Sequence, residues 1–314
     1  MLNNVKSIPI LKKIFGKVKN KRKLNIIKYN KRITNRLNID KEYFERFIQL
    51  KKFNIKYNKN IDDIDIEELN LSQKYINKEE LKYLVEIQFK ELKVLNLNWN
   101  NISDINILKD VNFNELQVLI LTNNYISNIE PLEKVNFEKL IELNLSNNEI
   151  RQIDILEKVN FKKLKVLNLS NNGIWEINVL ERVNFKELKV LDLSNNILPN
   201  VNILEKVNFR ELKILNLSKN KLSDINILVK VNFRELKELV LAGNRISIIN
   251  FLEKVNFNEL NKLDLSGNRI SNINILEKVN FQELEIFNLS NNNISNINIL
   301  EKVNFPKLEL FDFK

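Results

Sequence analysis

The stretch LEKVNFKKLKVLNLSNN, residues 156–172, places Phe161 ahead of a run of leucines and ends on a pair of asparagines. Nearly the same sequence recurs along most of the chain, and the phenylalanine marks its period. It returns every 24 residues, at Phe89, Phe113, Phe137, Phe161, Phe185, Phe209, Phe233, Phe257, Phe281 and Phe305. A fixed period of roughly 20 to 50 residues indicates stacked units that bury one continuous core.

Each unit contains the pattern of a short strand. Leu167 and Leu169 alternate with residues that would point to the opposite face. Equivalent strands of successive units would pair in parallel, about 4.8 Å apart. An asparagine follows each strand, where backbone groups lose their sheet partners and a side-chain amide can bond to them. We expect this series to be structural: Asn100, Asn124, Asn148, Asn172, Asn196, Asn220, Asn244, Asn268 and Asn292.

The unit resembles the leucine-rich repeat, whose signature is L-x-x-L-x-L-x-x-N-x-L. In the stretch quoted above and the residues just after it, the matching positions are Leu164, Leu167, Leu169, Asn172 and Ile174. The resemblance implies an α/β solenoid, or horseshoe, with a parallel β-sheet on the concave face and short helices on the convex face. It also implies that the protein binds a partner protein on the concave face.

The segment NILEKVN, for example at residues 298–304, predicts the short convex helix. Asn298, with Glu301 three residues later, has the pattern of a capping box, which makes Asn298 the expected N-cap. Asn304 falls where this helix must end, and asparagine tolerates the left-handed conformation that closes many helices. Phe305 then enters the core. We interpret the recurring Asn-Phe pair as a helix stop and a core anchor.

The repeats predict a solenoid over residues 61–314, preceded by a basic and α-helical head at 1–60. Within the solenoid, we expect an atypical capping repeat at 61–88, nine 24-residue repeats at 89–304 and a truncated terminal repeat at 305–314. The last strand would leave one sheet edge unpaired, and such an edge can pair with another chain. The protein is therefore expected to be a monomer or to associate end to end through this strand.

The composition argues against catalysis. The chain has no cysteine and no histidine, so it lacks the thiol and imidazole nucleophiles, the usual general base near neutral pH and the common zinc ligands. Asp192, Asp264 and Asp312 would stand about 10–14 Å apart along the sheet, too far for paired-carboxylate hydrolysis in a cleft. We expect no enzymatic activity, cofactor, metal site or small-molecule substrate. The sequence shows no signal peptide or membrane helix, which favours a cytoplasmic location, with the nucleus as an alternative.

Partner-binding residues are predicted at the two strand positions that flank the inward leucine on the concave face. One position is mostly Val or Ile, and the other is mostly Asn or Asp. Trp99 joins them because exposed tryptophans are enriched at binding hot spots. The predicted set is Val94, Asn96, Trp99, Val118, Ile120, Glu142, Asn144, Val166, Asn168, Val190, Asp192, Ile214, Asn216, Glu238, Lys262 and Asp264. The alternative is a structural role, since Val and Ile are good strand formers.

The head concentrates positive charge. Residues 1–60 hold 18 of the 50 lysines and arginines and 3 of the 40 acidic residues, a balance of +15. Among these charges, apolar residues and a proline follow a spacing that resembles the F-box, the helical motif that docks on the Skp-type adaptor of cullin ubiquitin ligases. The matching residues are Ile8, Pro9, Leu11, Ile14, Phe15, Val18 and Leu24. Asn30 and Ile33 depart from the family, which has cysteine and tryptophan there.

Three functions are compatible with these features. The F-box resemblance implies a substrate receptor, in which the head binds the ligase core and the repeats bind a protein to be ubiquitylated. A second possibility is a generic leucine-rich repeat adaptor whose head is only a cap, and the I-x-x-I-x-x-L outer pattern resembles the phosphatase-regulator subclass. The third is nucleic-acid or anionic-membrane binding by the head, because a +15 segment attracts phosphates. The sequence does not identify the partner protein.

Overall fold

A computed structural model describes residues 6–7, 10–11, 14–15, 18, 25–26, 29–37, 41–61 and 65–313. Eleven three-residue strands form one parallel sheet, in which each strand pairs with the next along the chain. The strands β1 to β11 are Glu68–Asn70, Val94–Asn96, Val118–Ile120, Glu142–Asn144, Val166–Asn168, Val190–Asp192, Ile214–Asn216, Glu238–Val240, Lys262–Asp264, Ile286–Asn288 and Leu310–Asp312. The leucine-rich repeat solenoid expected from the sequence is confirmed.

The strand register follows the sequence period. Leu143 of β4 lies beside Leu167 of β5, and the other neighbouring strands keep the same register. These central leucines are fully buried, whereas the strand residues on either side of them are partly exposed. The phenylalanine of each repeat, for example Phe161, is buried behind the sheet. One hydrophobic core therefore runs from Leu50 to Phe305.

The asparagines that follow the strands have the structural role predicted for them. The Nδ2 of Asn172 donates to the main-chain carbonyl of Leu145 in the preceding repeat (3.0 Å) and to that of Leu169 in its own (3.1 Å). Its Oδ1 accepts a hydrogen bond from the backbone N–H of Ile150 (3.0 Å). Backbone groups that leave the sheet at this turn are thereby paired through one side chain.

The convex side is built from 3₁₀ helices of four or five residues, which bury apolar side chains such as Leu156 and Leu204. Within residues 65–313 they are Asn106–Lys109, Glu130–Lys134, Asp154–Glu157, Asn178–Glu181, Asn202–Glu205, Asn226–Val229, Asn250–Glu253, Asn274–Lys278 and Asn298–Lys302. These are the short helices that the sequence predicts on the convex face.

The predicted capping box is wrong. Ile297 is the N-cap of the last 3₁₀ helix and makes no side-chain cap bond, while Asn298 is the first helical residue. The N–H of Asn298 is instead bound by the Oδ1 of Asn296, two residues earlier, at 3.0 Å. This Asx turn provides the cap from outside the helix. The helical glutamates are then available for lateral ion pairs, such as Glu205 with Lys230 at 3.4 Å.

The left-handed residue of each repeat also lies elsewhere than predicted. Asn304 is not among the residues with positive φ. Positive φ occurs instead one residue before each strand-following asparagine, as at Asn171 (52°) and Gly243 (66°). The chain turns away from the sheet at this point, and asparagine and glycine adopt the conformation at the lowest cost. Trp99 (54°) and Lys219 (52°) occupy it as well, which makes them conformational outliers.

Helices lie in the N-terminal part of the described chain. They are α1 (Lys31–Leu37), α2 (Lys41–Tyr57) and α3 (Lys82–Ile87), the last of which belongs to the atypical first repeat. α2 packs against α3 and contributes Leu50 and Phe53 to the main core. The basic head is therefore joined to the solenoid through an apolar contact.

A buried arginine fastens α2 to the first repeat. The Nε of Arg46 donates to the main-chain carbonyl of Ile87 at 2.7 Å, and its Nη2 donates to the carbonyl of Gln88. These carbonyls lie at the C-terminal end of α3, where helical carbonyls lack intrahelical partners. Arg46 thus caps one helix from another, which fixes how the two elements meet.

The opposite end of the sheet is open in the described part of the chain. β11 has no neighbouring strand on its far side. Ile297 is 44% exposed, whereas its equivalent one repeat earlier, Ile273, is buried. Phe311 stacks on Phe287 with 5.4 Å between ring centroids, so one face of Phe311 is covered. The unpaired edge is therefore present, and end-to-end association through it stays a prediction.

Candidate partner-binding surfaces

The predicted concave residues form two continuous columns on strands β2 to β9. Neighbouring members lie side by side, as Val166 does with Val190 and Asn168 with Asp192. All of them are partly exposed beside a buried leucine. The structure brings together Val94, Asn96, Val118, Ile120, Glu142, Asn144, Val166, Asn168, Val190, Asp192, Ile214, Asn216, Glu238, Lys262 and Asp264. Trp99 lies apart from them, on the loop that follows β2.

Strands β5 to β7 carry the most regular part of this face. Val166, Val190 and Ile214 make an uninterrupted apolar stripe of partly exposed side chains. A lysine precedes each of them, and an amide or carboxylate follows two residues later. We call these nine residues the central patch: Lys165, Val166, Asn168, Lys189, Val190, Asp192, Lys213, Ile214 and Asn216.

The three lysines of the central patch are paired only loosely. Each ammonium lies 3.7 to 3.8 Å from a carboxylate of the next repeat, in the pairs Lys165–Glu187, Lys189–Glu211 and Lys213–Glu235. The lysine side chains are 37 to 40% exposed. Ion pairs of this length and exposure are worth little in water, so a partner carboxylate can compete for the lysines at low cost.

The amide and carboxylate column is partly occupied by internal bonds, a feature that the sequence analysis missed. The Oδ1 of Asn168 accepts hydrogen bonds from both the backbone N–H (2.9 Å) and the hydroxyl (2.7 Å) of Ser170. Asp192 binds the N–H of Ser194 in the same way at 2.9 Å. The recurring N-L-S and D-L-S triplets signal this Asx turn. The asparagine Oδ1 atoms therefore close the strands. The Nδ2 of Asn216 is also engaged, because it donates to the Oδ2 of Asp192 at 3.2 Å.

Charged residues bound the central patch. Glu142 interrupts the apolar column on β4, next to Val166. On the other side, Lys262 and Glu238 form an ion pair across β8 and β9 with an N–O distance of 3.4 Å. The longest uninterrupted run of the apolar column therefore covers three strands in the centre of the sheet, and a shorter run, Val94 and Val118, lies on β2 and β3.

Large aromatic side chains line the loops at the carboxyl ends of the strands. Tyr75 is 79% exposed and Trp99 57% exposed, and both have positive φ in consecutive repeats. Tyr125 and Trp175 are about half exposed on later loops of the same edge. Sequence reasoning identified Trp99 as unusual but did not single out Tyr75. Exposed aromatics held by a strained backbone are typical of binding surfaces.

A hollow beside Trp175 occupies the same edge. It has a volume of about 700 Å³ and is lined by Arg151, Gly173 and Trp175, among others. A Cβ at residue 173 would lie 3.3 Å from the Cγ of Arg151. The glycine therefore provides the space in which the Arg151 side chain lies. The hollow offers an aromatic wall and a cation on a surface that is otherwise rich in amides.

The residues that resemble an F-box are only partly described. Ile8, Pro9 and Leu24 lie outside the described residues. Leu11 and Phe15 are buried in a small core with Ile33 and Leu37, separate from the core of the solenoid. Ile14 is 38% exposed, and Val18 is partly buried.

Among the described residues, no cluster of three or more acidic side chains is placed to hold a metal ion. The raised pKa values of Lys93 and Lys307 come from hydrogen bonds to Glu67 and Glu283 at exposed positions. In the part of the chain that is described, no helix has the length and apolarity to cross a membrane.

Family models and solved structures are similar to this chain in its repeats. A model described as "Leucine Rich repeats (2 copies)" matches residues 138–182, and a second, "Leucine Rich repeat", matches 91–105. The chain therefore contains leucine-rich repeats. No curated protein matches the sequence.

Among solved structures, an internalin of Listeria monocytogenes aligns with 22% identity over 84% of this chain and 82% of its own, at a TM-score of 0.63. A leucine-rich repeat protein of Leptospira interrogans aligns with 21% identity over 73% of this chain and 57% of its own, at 0.58. The ectodomain of the Arabidopsis thaliana receptor kinase GASSHO1/SCHENGEN3, solved with CASPARIAN STRIP INTEGRITY FACTOR 2, aligns with 22% identity over 74% of this chain and 30% of its own, at 0.52. These similarities establish a shared fold.

Proposed function

We propose that this protein is a non-catalytic scaffold that binds a partner protein on the central patch of its concave face. One observation carries the proposal: Val166, Val190 and Ile214 form a partly exposed apolar stripe on three rigid, paired strands. Apolar surface that stays accessible on a rigid sheet is typical of interaction sites. The plant receptor of the same fold was solved with a bound factor, which supports binding as the use of such a surface.

The side chains of the central patch indicate which chemical groups a partner would need. Apolar side chains of the partner would pack on the stripe, while its carboxylates would meet the lysines on one side, represented by Lys189. On the other side, the Nδ2 group of Asn168 would donate to its carbonyls, because the Oδ1 of Asn168 is already bound internally. The Nδ2 of Asn216 already donates to Asp192, so it has one N–H left for a partner. A partner segment with apolar residues on one face and acidic residues along one border fits this arrangement.

The test compares two substitutions of the same chemistry. Val190→Asp places a charge in the middle of the stripe, whereas Val229→Asp places it on a 3₁₀ helix of the convex side, where Val229 is 36% exposed. Full-length protein would be used for affinity capture, and the captured protein would then be purified and titrated against each variant. We expect Val190→Asp to weaken binding at least about tenfold, the effect of losing a central contact. Equal affinity for both variants would refute the proposed site.

The substrate-receptor role is the more specific form of this proposal. It is motivated by the F-box resemblance and by two exposed apolar residues in the head, Ile10 (54%) and Ile14 (38%). Binding of a purified Skp-type adaptor to the full chain would be measured beside Ile14→Glu and beside Ile55→Glu, an exposed position on α2. Loss of adaptor binding in the first variant alone would support the role. Absence of binding to the unmodified chain would eliminate it and leave the concave site untouched.

A further inference from the structure

A row of cations lies on the loops that follow β7, β8 and β9. Lys219, Lys221, Arg245 and Arg269 are all exposed, and the last three occupy the same position in consecutive repeats, about 4.8 Å apart. Among the described residues, none of the four forms an ion pair within 4.0 Å. Elsewhere on the solenoid, several lysines and arginines do pair with a glutamate about one repeat away, as Lys139 does with Glu115. Four unneutralised cations therefore stand together on one edge.

Two glycines lie beside this row. Gly243 (φ 66°) and Gly267 (φ 61°) occupy the left-handed position in consecutive repeats, where most other repeats have asparagine. A Cβ at Gly243 would lie 3.1 Å from the Cγ of Lys219, so the side chain of Lys219 rests over the glycine. Lys219 itself has the left-handed conformation, which costs a lysine about 1 kcal/mol or more. The cations thus border two adjacent glycines, one of which lies under the side chain of Lys219.

Ile248, on the loop that follows β8, differs in type from the residues at the equivalent position of other repeats. At the equivalent position of six other repeats, an Asp or Asn uses its Oδ1 to cap the following 3₁₀ helix, while Gln152 and Glu176 occupy it in two more. The capping residues are Asp104, Asn128, Asn200, Asp224, Asn272 and Asn296. Ile248 cannot provide this cap, and its side chain is 60% exposed three residues after Arg245. A lost cap and an exposed apolar side chain are both unfavourable in the free protein, which points to a use in binding.

We infer that this basic edge (Lys219, Lys221, Arg245, Ile248 and Arg269) binds an acidic protein segment that carries an apolar side chain among its carboxylates. The arginines can each bind a carboxylate through two parallel hydrogen bonds. Adjacent repeats space the cations closely enough to meet successive carboxylates on one face of a peptide. The apolar side chain of the segment would pack on Ile248.

A protein segment fits this edge better than a nucleic acid does. Single-stranded nucleic acids are held by stacking their bases on aromatic side chains. Between residues 217 and 272 the exposed large apolar side chains are Val229 and Ile248, and neither is aromatic. An exposed isoleucine also cannot donate a hydrogen bond to a phosphate or neutralise its charge. The basic edge goes beyond the concave site proposed above and does not depend on it.

The experiment uses fluorescent synthetic peptides and the full chain. One probe is a peptide of about twelve residues that repeats Glu-Glu-Leu, long enough to cross the three repeats. A second has the same length and contains glutamate alone, and a third probe is an oligothymidylate of equal charge. We expect the Glu-Glu-Leu peptide to bind most tightly, with an affinity that falls as the salt concentration rises.

Two variants identify the residues responsible. Arg245→Glu with Arg269→Glu should weaken binding of the Glu-Glu-Leu peptide about tenfold or more. The matched control, Arg210→Glu with Arg234→Glu, makes the same change at the same spacing on two exposed arginines of the opposite edge and should leave the affinity within about twofold. Ile248→Asn restores the capping residue of the other repeats, so it should preserve folding while abolishing the preference for the leucine-containing peptide.

The outcomes separate the alternatives. Equal losses in the two arginine double variants would refute the basic edge, because the effect would then follow net charge alone. Tighter binding of the oligothymidylate than of either peptide would refute a protein ligand. An unchanged peptide preference in Ile248→Asn would refute the apolar contact. Val190→Asp lies in the central patch and should not alter peptide binding. The experiment therefore distinguishes a wrong proposal for the concave site from a wrong proposal for the basic edge.

Discussion

The side chain of Asn196 is bonded to the main chain of Leu169, 27 residues earlier: its Nδ2 donates to the Leu169 carbonyl at 3.0 Å. The same Nδ2 donates to the carbonyl of Leu193, and its Oδ1 accepts from the N–H of Ile174 at 3.0 Å. One buried amide therefore ties each coil to the one before it. This link explains why the asparagine recurs after strands β2 to β10, since without it the turn would bury unpaired backbone groups.

Asn196→Ala is expected to destabilise the protein by about 1–3 kcal/mol, because it leaves buried backbone donors and acceptors without partners. Asn195→Gly is the control. Asn195 is the adjacent residue, has φ 51° and does not belong to this series, and glycine adopts that conformation freely. The midpoints of urea denaturation would be compared, and equal midpoints for the two variants would contradict the structural role of Asn196.

The fold could be predicted from the sequence because its decisive interactions repeat with the period. Most of the buried leucines and phenylalanines pack beside an identical residue one repeat away. The packing around Leu167 or Phe161 can therefore be predicted from the repeat itself. The caps were harder to predict. Asn296 and Asn298 are the same residue type, so the sequence does not distinguish which of them caps the 3₁₀ helix. The structure shows that Asn296 is the cap and that Asn298 is the first helical residue.

The candidate sites were less predictable, because their residues depart from the period. Asn168 was predicted to face a partner, but its Oδ1 also closes the strand through Ser170, and both roles use the same residue type. Ile248 could have been noticed as the one apolar residue in a polar column. Its significance depended on knowing that the column caps the 3₁₀ helices, which the structure shows.

Trp99→Asn is expected to stabilise the fold by up to about 1 kcal/mol. Trp99 holds φ 54° with 57% of its side chain exposed, whereas asparagine is the residue that most repeats use in this conformation. Thermal denaturation followed by circular dichroism would measure the change. A lower melting temperature would mean that the indole contributes more by packing on its neighbours than its backbone conformation costs.

Arg46→Met is expected to loosen the contact between α2 and the first repeat at a cost of about 2–3 kcal/mol, because two carbonyls at the end of α3 lose a charged donor. Methionine retains much of the apolar stem. Hydrogen exchange should show faster opening of α2 and α3 than of the central strands. Lys52→Met, at an exposed position of the same helix, should leave exchange unchanged, and equal protection in both variants would contradict the role of Arg46.

Tyr57 should make the protein less stable at alkaline pH. Burial raises the pKa of the Tyr57 phenol above its ordinary value, and the charge of nearby Glu80 raises it further. The unfolded chain therefore loses this proton first, so stability is full below about pH 10 and falls above it, by at most about 1.4 kcal/mol per pH unit. Tyr57→Phe should flatten this fall in urea titrations, while Tyr125→Phe, at an exposed position, should not. Equal slopes in all three proteins would exclude Tyr57 as the cause.

Two glycines of the solenoid should respond to alanine in opposite ways. At Gly267, φ is 61°, so alanine would be strained by its backbone conformation, although a new Cβ would lie 3.4 Å from the backbone nitrogen of Gly243, an ordinary contact distance. We expect Gly267→Ala to cost about 1–2 kcal/mol. Gly173 has no positive φ, and a Cβ there would meet the Cγ of Arg151, a flexible side chain that can shift. Gly173→Ala should therefore be neutral or stabilising by up to about 1 kcal/mol, because alanine restricts the unfolded chain. Denaturation midpoints would decide, and a larger loss at Gly173 than at Gly267 would mean that Arg151 is held rigidly in the hollow beside Trp175.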